Sequence, residues 1–277
     1  HRKLEYCTFP EKRKIEIKMR EIRTDKITEL VERLCIEANC NLSTDILNCF
    51  RKCRQEEKSP LGKDILATLI ENAEIAKEEC SPICQDTGMT VVFVTIGQDV
   101  HIEGGYIEDA INEGVRRGYE KGYLRKSVVK DPLDRINTKD NTPAVIHYEM
   151  VPGDKFHLTV APKGFGSENM SQLKMLKPSQ GIEGVKDFVI NTVSEAGANP
   201  CPPIIVGVGI GGTMEKSALL SKKALLRPVG ESNPNSMIAE LEKELLEKIN
   251  GLGIGPAGFG GSTTALSVNV LTYPTHI

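Results

Sequence analysis

Cys84, Gln85 and Asp86 stand side by side in the stretch SPICQDTGMTVVFV, directly before a run of Val and Phe that reads as a buried strand. A thiolate is a soft metal ligand, an amide orients a polar substrate, and a carboxylate carries a proton. Cys201 lies in a comparable setting, NPCPP, also ahead of an apolar strand. Prolines fix φ and remove amide donors, so a side chain between them is held still, as a ligand to iron or zinc must be. The other cysteines read differently. Cys35, Cys40, Cys49, Cys53 and Cys80 fall at helical spacing, where a cysteine is usually a small buried hydrophobe. The pairs Cys49/Cys53 and Cys80/Cys84 are each four apart, a spacing that places two thiols on one helix face and leaves a four-thiolate zinc site open.

Other polar clusters suit an anionic substrate. KGFGSENMS, Lys163 to Ser171, combines a cation, small glycines and hydrogen-bonding side chains, though taken alone a surface turn is the better explanation. Arg125 and Arg135 sit in the polar connection LRKSVVKDPLDRINTKDN, and a guanidinium fork matches a carboxylate when it is not merely solvated. GVGIGGT satisfies the G-x-G-x-x-G pattern between an apolar strand and a helix, which allows a nucleotide-binding module built on Gly207 to Gly212. A dinucleotide site needs an acidic residue closing a second strand, however, and Glu231 falls in a turn. What remains is a glycine loop opening a helix, whose free amides suit a substrate carboxylate as well as a phosphate. GIGPAGFGGSTT has neither a preceding strand nor a phosphate-loop lysine.

The elements that must position these groups read as a mixed α and β (α+β) fold in a single domain. Helices are predicted from Asp25, from Ser43–Asp45 and from Pro60 to about Glu79, giving a helical N-terminal region. Strands follow at Val91–Ile96, at Ala144–Met150 and at Lys155–Ala161, the last two joined by the turn VPGDK as a hairpin, with a glycine-interrupted helix at Tyr106–Lys121 ahead of that pair. Then come helices at Ile182–Ala196, Met214–Leu226 and Ser236–Asn250, a buried strand PIIVGVGI and a last strand ALSVNVLTY. A net charge of −3 over 277 residues argues against nucleic acid and anionic membranes as partners. No apolar run reaches the ~20 residues of a membrane span, and the default location is cytoplasmic. Residues 1–18 read as a leader or added extension, and 19–277 as the catalytic unit.

PICQDTG, LRKS, RINTKDN, KGFGSEN, NPCPP, GIGGTMEKSALLSKKALLRP, GIGPAGFGGSTTAL and PTHI occur in the order and approximate spacing of one family. From about residue 20 to 277 the chain resembles the alpha subunit, or N-terminal domain, of class I fumarate hydratases and the similar L-tartrate dehydratases. The resemblance implies a hydro-lyase that reversibly hydrates fumarate to malate, with the tartrate dehydratase as the alternative. It implies a [4Fe-4S] cluster held by three cysteines with one open iron, which acts as a Lewis acid. Matched residue by residue, Cys84 and Cys201 resemble two of the ligands, Asp86 a proton carrier, and Gln85, Arg125, Gly166, Asn169, Ser171 and His276 substrate contacts. The third cysteine is expected about a dozen residues beyond PTHI, outside these 277 residues. Phe165 stands where the family usually carries glycine. Further substrate-binding groups belong to a beta subunit, so the expected assembly is a hetero-oligomer with a dimeric core acting on a small dicarboxylate. The chain alone is expected to be inactive.

Overall fold

The computed structural model describes residues 19–277, so the reading of residues 1–18 as a leader lies outside the described residues. Two hydrophobic clusters organise the chain. The first is built from α1 (Thr24–Cys40) and α4 (Ile107–Lys121), which lie against a sheet of β2 (Met89–Gly97), β4 (Val145–Val151) and β5 (Phe156–Lys163). Ile27, Val31 and Cys35 recur every four residues on α1 and are buried, so Cys35 is the small hydrophobe its spacing suggests. The glycines of α4 allow this packing: a Cβ on Gly114 would stand 2.6 Å from Val31 Cβ, and one on Gly118 would stand 2.8 Å from Cys35 Cβ. Between these elements, α2 (Thr44–Glu56) and α3 (Pro60–Glu79) form a helical pair, with the Ser59 hydroxyl accepting from Gly62 N at the start of α3.

The second cluster holds the parallel pair β6 (Ile204–Gly211) and β7 (Ala265–Tyr273) against α6 (Gly181–Ala196) and α8 (Ser236–Asn250). α7 (Met214–Ala224) packs on β6 as well. The outer edge of β7 is covered by side chains: Val270 N donates to Glu242 Oε1 at 2.7 Å, and Asn233 Nδ2 donates to Val270 O at 2.9 Å. Such covering protects an exposed strand edge from further pairing.

The mixed α and β class and most element positions match the sequence-based expectation; several details do not. β4 and β5 are not a hairpin. The sheet order is β4-β2-β5, with β2 parallel to β4 and antiparallel to β5, so the earlier strand occupies the place between them. β2 is apolar on both alternating faces, and a strand of that composition is stabilised best in the middle of a sheet. Two strands had no signal: β1 (Arg20–Arg23) and β3 (Val100–Glu103) pair in parallel, but REIR and VHIE are only four residues long, carry charge, and have no fully buried residue. Gly207 and Gly209 are not in a loop but within β6, where a Cβ would lie 2.2 Å from Ser221 O and 2.0 Å from Ser217 O of α7. They serve helix-on-strand contact, which removes the basis for a phosphate loop there. The cysteine readings also change. Cys80 is exposed and ends α3 in the left-handed region, so Cys80 and Cys84 share no helix face. Cys49 and Cys53 do share one, with sulfurs 3.9 Å apart, half-buried. Among the described residues no helix is long and apolar enough to cross a membrane.

Candidate active site

The segment that carries Cys84 is tied down before it reaches β2. Ile83 N donates to Asn39 O of α1 at 2.9 Å, and Asn72 Nδ2 of α3 donates to Ile83 O at 2.8 Å. Beyond these ties, Cys84 and Gln85 turn outward and line a shallow depression together with Pro82, Thr87, Tyr123 and Arg125. Thr87 and Tyr123 were not singled out from the sequence. Thr87 lies inside the PICQDTG motif and Tyr123 lies just past the end of α4, immediately before LRKS, so motif neighbourhood was the available signal.

Asp86 is held at both oxygens. Gly88 N donates to Oδ1 at 3.1 Å, and Phe165 N donates to Oδ2 at 3.0 Å across 79 residues of chain. The second bond reaches from the end of β2's entrance segment to the loop after β5, so it joins the two halves of the site. The residue at 165 contributes through its backbone, and its φ lies outside the left-handed region, so phenylalanine in place of the family's glycine leaves this contact intact. Asp86 N also donates to Cys84 Sγ at 3.4 Å.

In the same loop, Lys163 Nζ donates to Ser167 Oγ at 2.6 Å and to Gly164 O at 3.2 Å. Burial lowers its pKa, against the opposing pull of Glu168. Glu168 in turn pairs with Lys222 of α7. Burial alone would raise the Glu168 pKa, but Lys222 and Lys163 together outweigh it and the net shift is downward. Lys163 and Lys222 thus both pair with Glu168 beside the loop that holds Asp86.

Gly166, Asn169 and Ser171 continue this loop. A Cβ on Gly166 would approach Asn199 O to 3.0 Å, and Asn199 Nδ2 lies 3.5 Å from Met170 Sδ. Asn199 is two residues from Cys201, whose turn is closed by Cys201 N to Ala198 O at 3.0 Å and by Ala257 N to Pro202 O at 2.7 Å. A run of contacts thus leads from Cys84 through Asp86 and the Phe165–Met170 loop to the Cys201 turn. Both thiols are exposed. Among the described residues, no three His, Cys, Asp or Glu side chains converge to hold a metal ion. Thr275 Oγ1 donates to Gly212 O at 3.2 Å, which sets the PTHI segment that carries His276 beside the turn after β6.

Comparison with known proteins decides the family. The family described as "Fumarate hydratase (Fumerase)" matches residues 28–277, nearly the whole chain. The chain belongs to the fumarate hydratase family. Among similar proteins of this family, one from Methanocaldococcus jannaschii, provisionally named L(+)-tartrate dehydratase subunit alpha, is 47% identical over 249 residues, covering 88% of this chain and 87% of the relative. L(+)-tartrate dehydratase subunit alpha of Escherichia coli K12 is 34% identical over 256 residues, covering 91% of this chain and 84% of the relative. A Shigella sonnei protein of the same name matches to the same extent. As a fumarate hydratase family member of the alpha-subunit type, the chain is part of a hydro-lyase, and neither nucleotide binding nor a purely structural zinc role describes it.

Proposed function

We propose that the chain is the alpha subunit of an iron-sulfur hydro-lyase that moves water onto or off a four-carbon dicarboxylate, working with a beta subunit. The observation that carries this reading is the meeting of Cys84, Gln85 and Arg125 at one depression, with the doubly anchored Asp86 next in the chain to Gln85. Cys84 and Cys201, exposed on rigid non-helical backbone, fit as two of the ligands of a [4Fe-4S] cluster. When bound, such a cluster with one open iron supplies a Lewis acid for the substrate hydroxyl and carboxylate.

The chain's own residues supply the rest. Arg125 is placed to pair with a substrate carboxylate, and its planar fork sets that carboxylate's orientation. Gln85 beside it offers both a donor and an acceptor. Asp86 carries the proton exchanged with the hydroxyl that leaves or arrives, and its carboxylate stays in place because each oxygen is fixed by an amide. Gly166, Asn169 and Ser171 close the loop over the same anion.

L-tartrate is the leading substrate, because the relatives at 47% and 34% identity carry that name. Fumarate and malate form the second reading, favoured by the family description. The two differ by one hydroxyl, and a pocket that hydrogen-bonds that group discriminates strongly. The test is anaerobic reconstitution of the chain with its beta partner, iron and sulfide, followed by assay against L-tartrate, fumarate and malate. Turnover of one of these by the loaded complex, lost in Cys84→Ser with unchanged circular dichroism, is the expected result. A loaded complex that converts none of them would refute the proposal.

A further inference from the structure

Behind the depression lie two fully buried polar side chains, Tyr119 and Asn141, neither of which reaches the surface where a substrate would bind. The Tyr119 hydroxyl, on α4, lies 2.7 Å from Thr87 O and 3.1 Å from Gly88 O, with one hydrogen to share between them. Asn141 makes three contacts. Its Nδ2 donates to Gly88 O at 3.1 Å, while its Oδ1 accepts from Ser127 N at 2.8 Å and from Val128 N at 3.2 Å. Asn141 itself has φ 62, a left-handed conformation that asparagine tolerates better than most residues. A third tie, Thr87 Oγ1 to Arg125 O at 3.1 Å, runs parallel to it.

The two segments joined in this way are the two that bear the substrate groups. Gly88 closes the Cys84–Asp86 stretch, and its amide is the donor to Asp86 Oδ1. Ser127 and Val128 follow Arg125 with one residue, Lys126, between. Each segment has backbone ties elsewhere, Ile83 to Asn39 and Val128 to Thr138, but no ladder joins one segment to the other, so the Thr87 hydroxyl and the Asn141 side chain bridge them instead. Its length sets the spacing between the carboxylate of Asp86 and the guanidinium of Arg125.

We propose that Asn141 is a positioning residue that sets this spacing, with Tyr119 sharing its acceptor, and that the two together tune affinity for the dicarboxylate rather than the proton-transfer step. This rests on the site reading given above. Because Gly88 O has two donors, either alone keeps it bound. Tyr119→Phe should therefore raise KM by less than about threefold, whereas Asn141→Ala, which also frees Ser127 and Val128, should raise it by roughly tenfold or more, since each buried carbonyl or amide left unpaired is costly. kcat should change by less than about threefold in both. The two substitutions should be non-additive: in the double variant Gly88 O loses both donors, and KM should exceed the product of the single effects.

The experiment uses the reconstituted complex with its beta partner for KM and kcat, and hydrogen exchange of the chain alone for the Gly88 amide. Asn141→Asp retains an acceptor for Ser127 and Val128 while removing the donor to Gly88, so it serves if Asn141→Ala does not fold. Faster exchange at Gly88 with β6 and β7 unchanged, together with a KM effect larger than the kcat effect, supports the proposal. Equal falls in kcat and kcat/KM, simple multiplication of the single effects, or unchanged Gly88 exchange would each overturn it. If the unsubstituted complex turns over no dicarboxylate, the functional reading has failed instead, and the exchange result still decides whether Asn141 holds the loop.

Discussion

Glu57 provides the most quantitative test of how the helical part of the chain grips the Cys201 side. It caps α2 and is 2% exposed, yet its Oε1 accepts from Lys58 N at 2.8 Å, Ser59 N at 3.0 Å, Ser262 N at 2.8 Å and Ser262 Oγ at 3.0 Å. Burial pushes its pKa up, but the hydrogen bonds from Ser59, Ser262 and Thr263 outweigh it and bring the value down to about 2, against 4.5 for a free glutamate. A depressed pKa in the folded state means the stabilisation is complete above 4.5 and is lost as pH falls towards 2. At 1.36 kcal/mol per unit the shift is worth about 3 kcal/mol near neutral pH, of which about 2 kcal/mol is gone by about pH 3. Glu57→Gln keeps an acceptor but cannot titrate. Urea unfolding of both proteins at about pH 6 and about pH 3 should show the gap between them narrowing by about 2 kcal/mol. A gap independent of pH would refute the account and mean that Glu57 contributes shape rather than charge. Because the Ser262 loop also holds Ala257 against Pro202, the variant should loosen the Cys201 turn as well, read as faster exchange at Ala257.

Gly88→Ala should cost more than about 2 kcal/mol in urea unfolding, because φ is +72° and the new Cβ would stand 2.5 Å from the Lys163 carbonyl carbon. Gly153→Ala, with φ +80° but nothing within 4 Å, should cost only about 1 kcal/mol, which separates crowding from backbone preference. Arg125→Lys in the reconstituted complex should raise KM by roughly tenfold with the melting temperature unchanged, since the fork is lost and the exposed charge kept. Leu245→Ala, fully buried in the β6–β7 cluster, should lose about 2 to 5 kcal/mol by urea unfolding.

What the sequence made legible was local. The four-residue recurrence of Ile27, Val31 and Cys35, the proline and serine at the start of α3, and the apolar run of β2 each carry their element in their own composition. Pairing was harder. VPGDK between two apolar stretches suggests a hairpin, but the turn only spans the end of β2, with Gly97 N donating to Lys155 O and Asp99 N to Gly153 O. Nothing in residues 144–163 announces a third strand from fifty residues earlier. Gly207 and Gly209 misled for a related reason: a glycine needed for a helix to lie against a strand has the same letter as one needed for a phosphate loop. At the site, Cys84, Gln85, Asp86 and Arg125 were visible as reactive types in constrained settings. Tyr119 and Asn141 were not, because a buried hydroxyl or amide reveals its task only through the carbonyl it reaches.

The interleaved order of β4, β2 and β5 bears on how the protein is made. Residues 145–163 could zip together first, as neighbours in the chain usually do, but the native arrangement requires them to stay apart until the strand at 89–97 is seated between them. A premature hairpin would exclude β2 and strand Gly88 and Asp86 away from Lys163 and Phe165. The sheet is thus built over long sequence separation, a topology associated with slow folding. Closing it is the same event that brings the Asp86 carboxylate and the loop after β5 together.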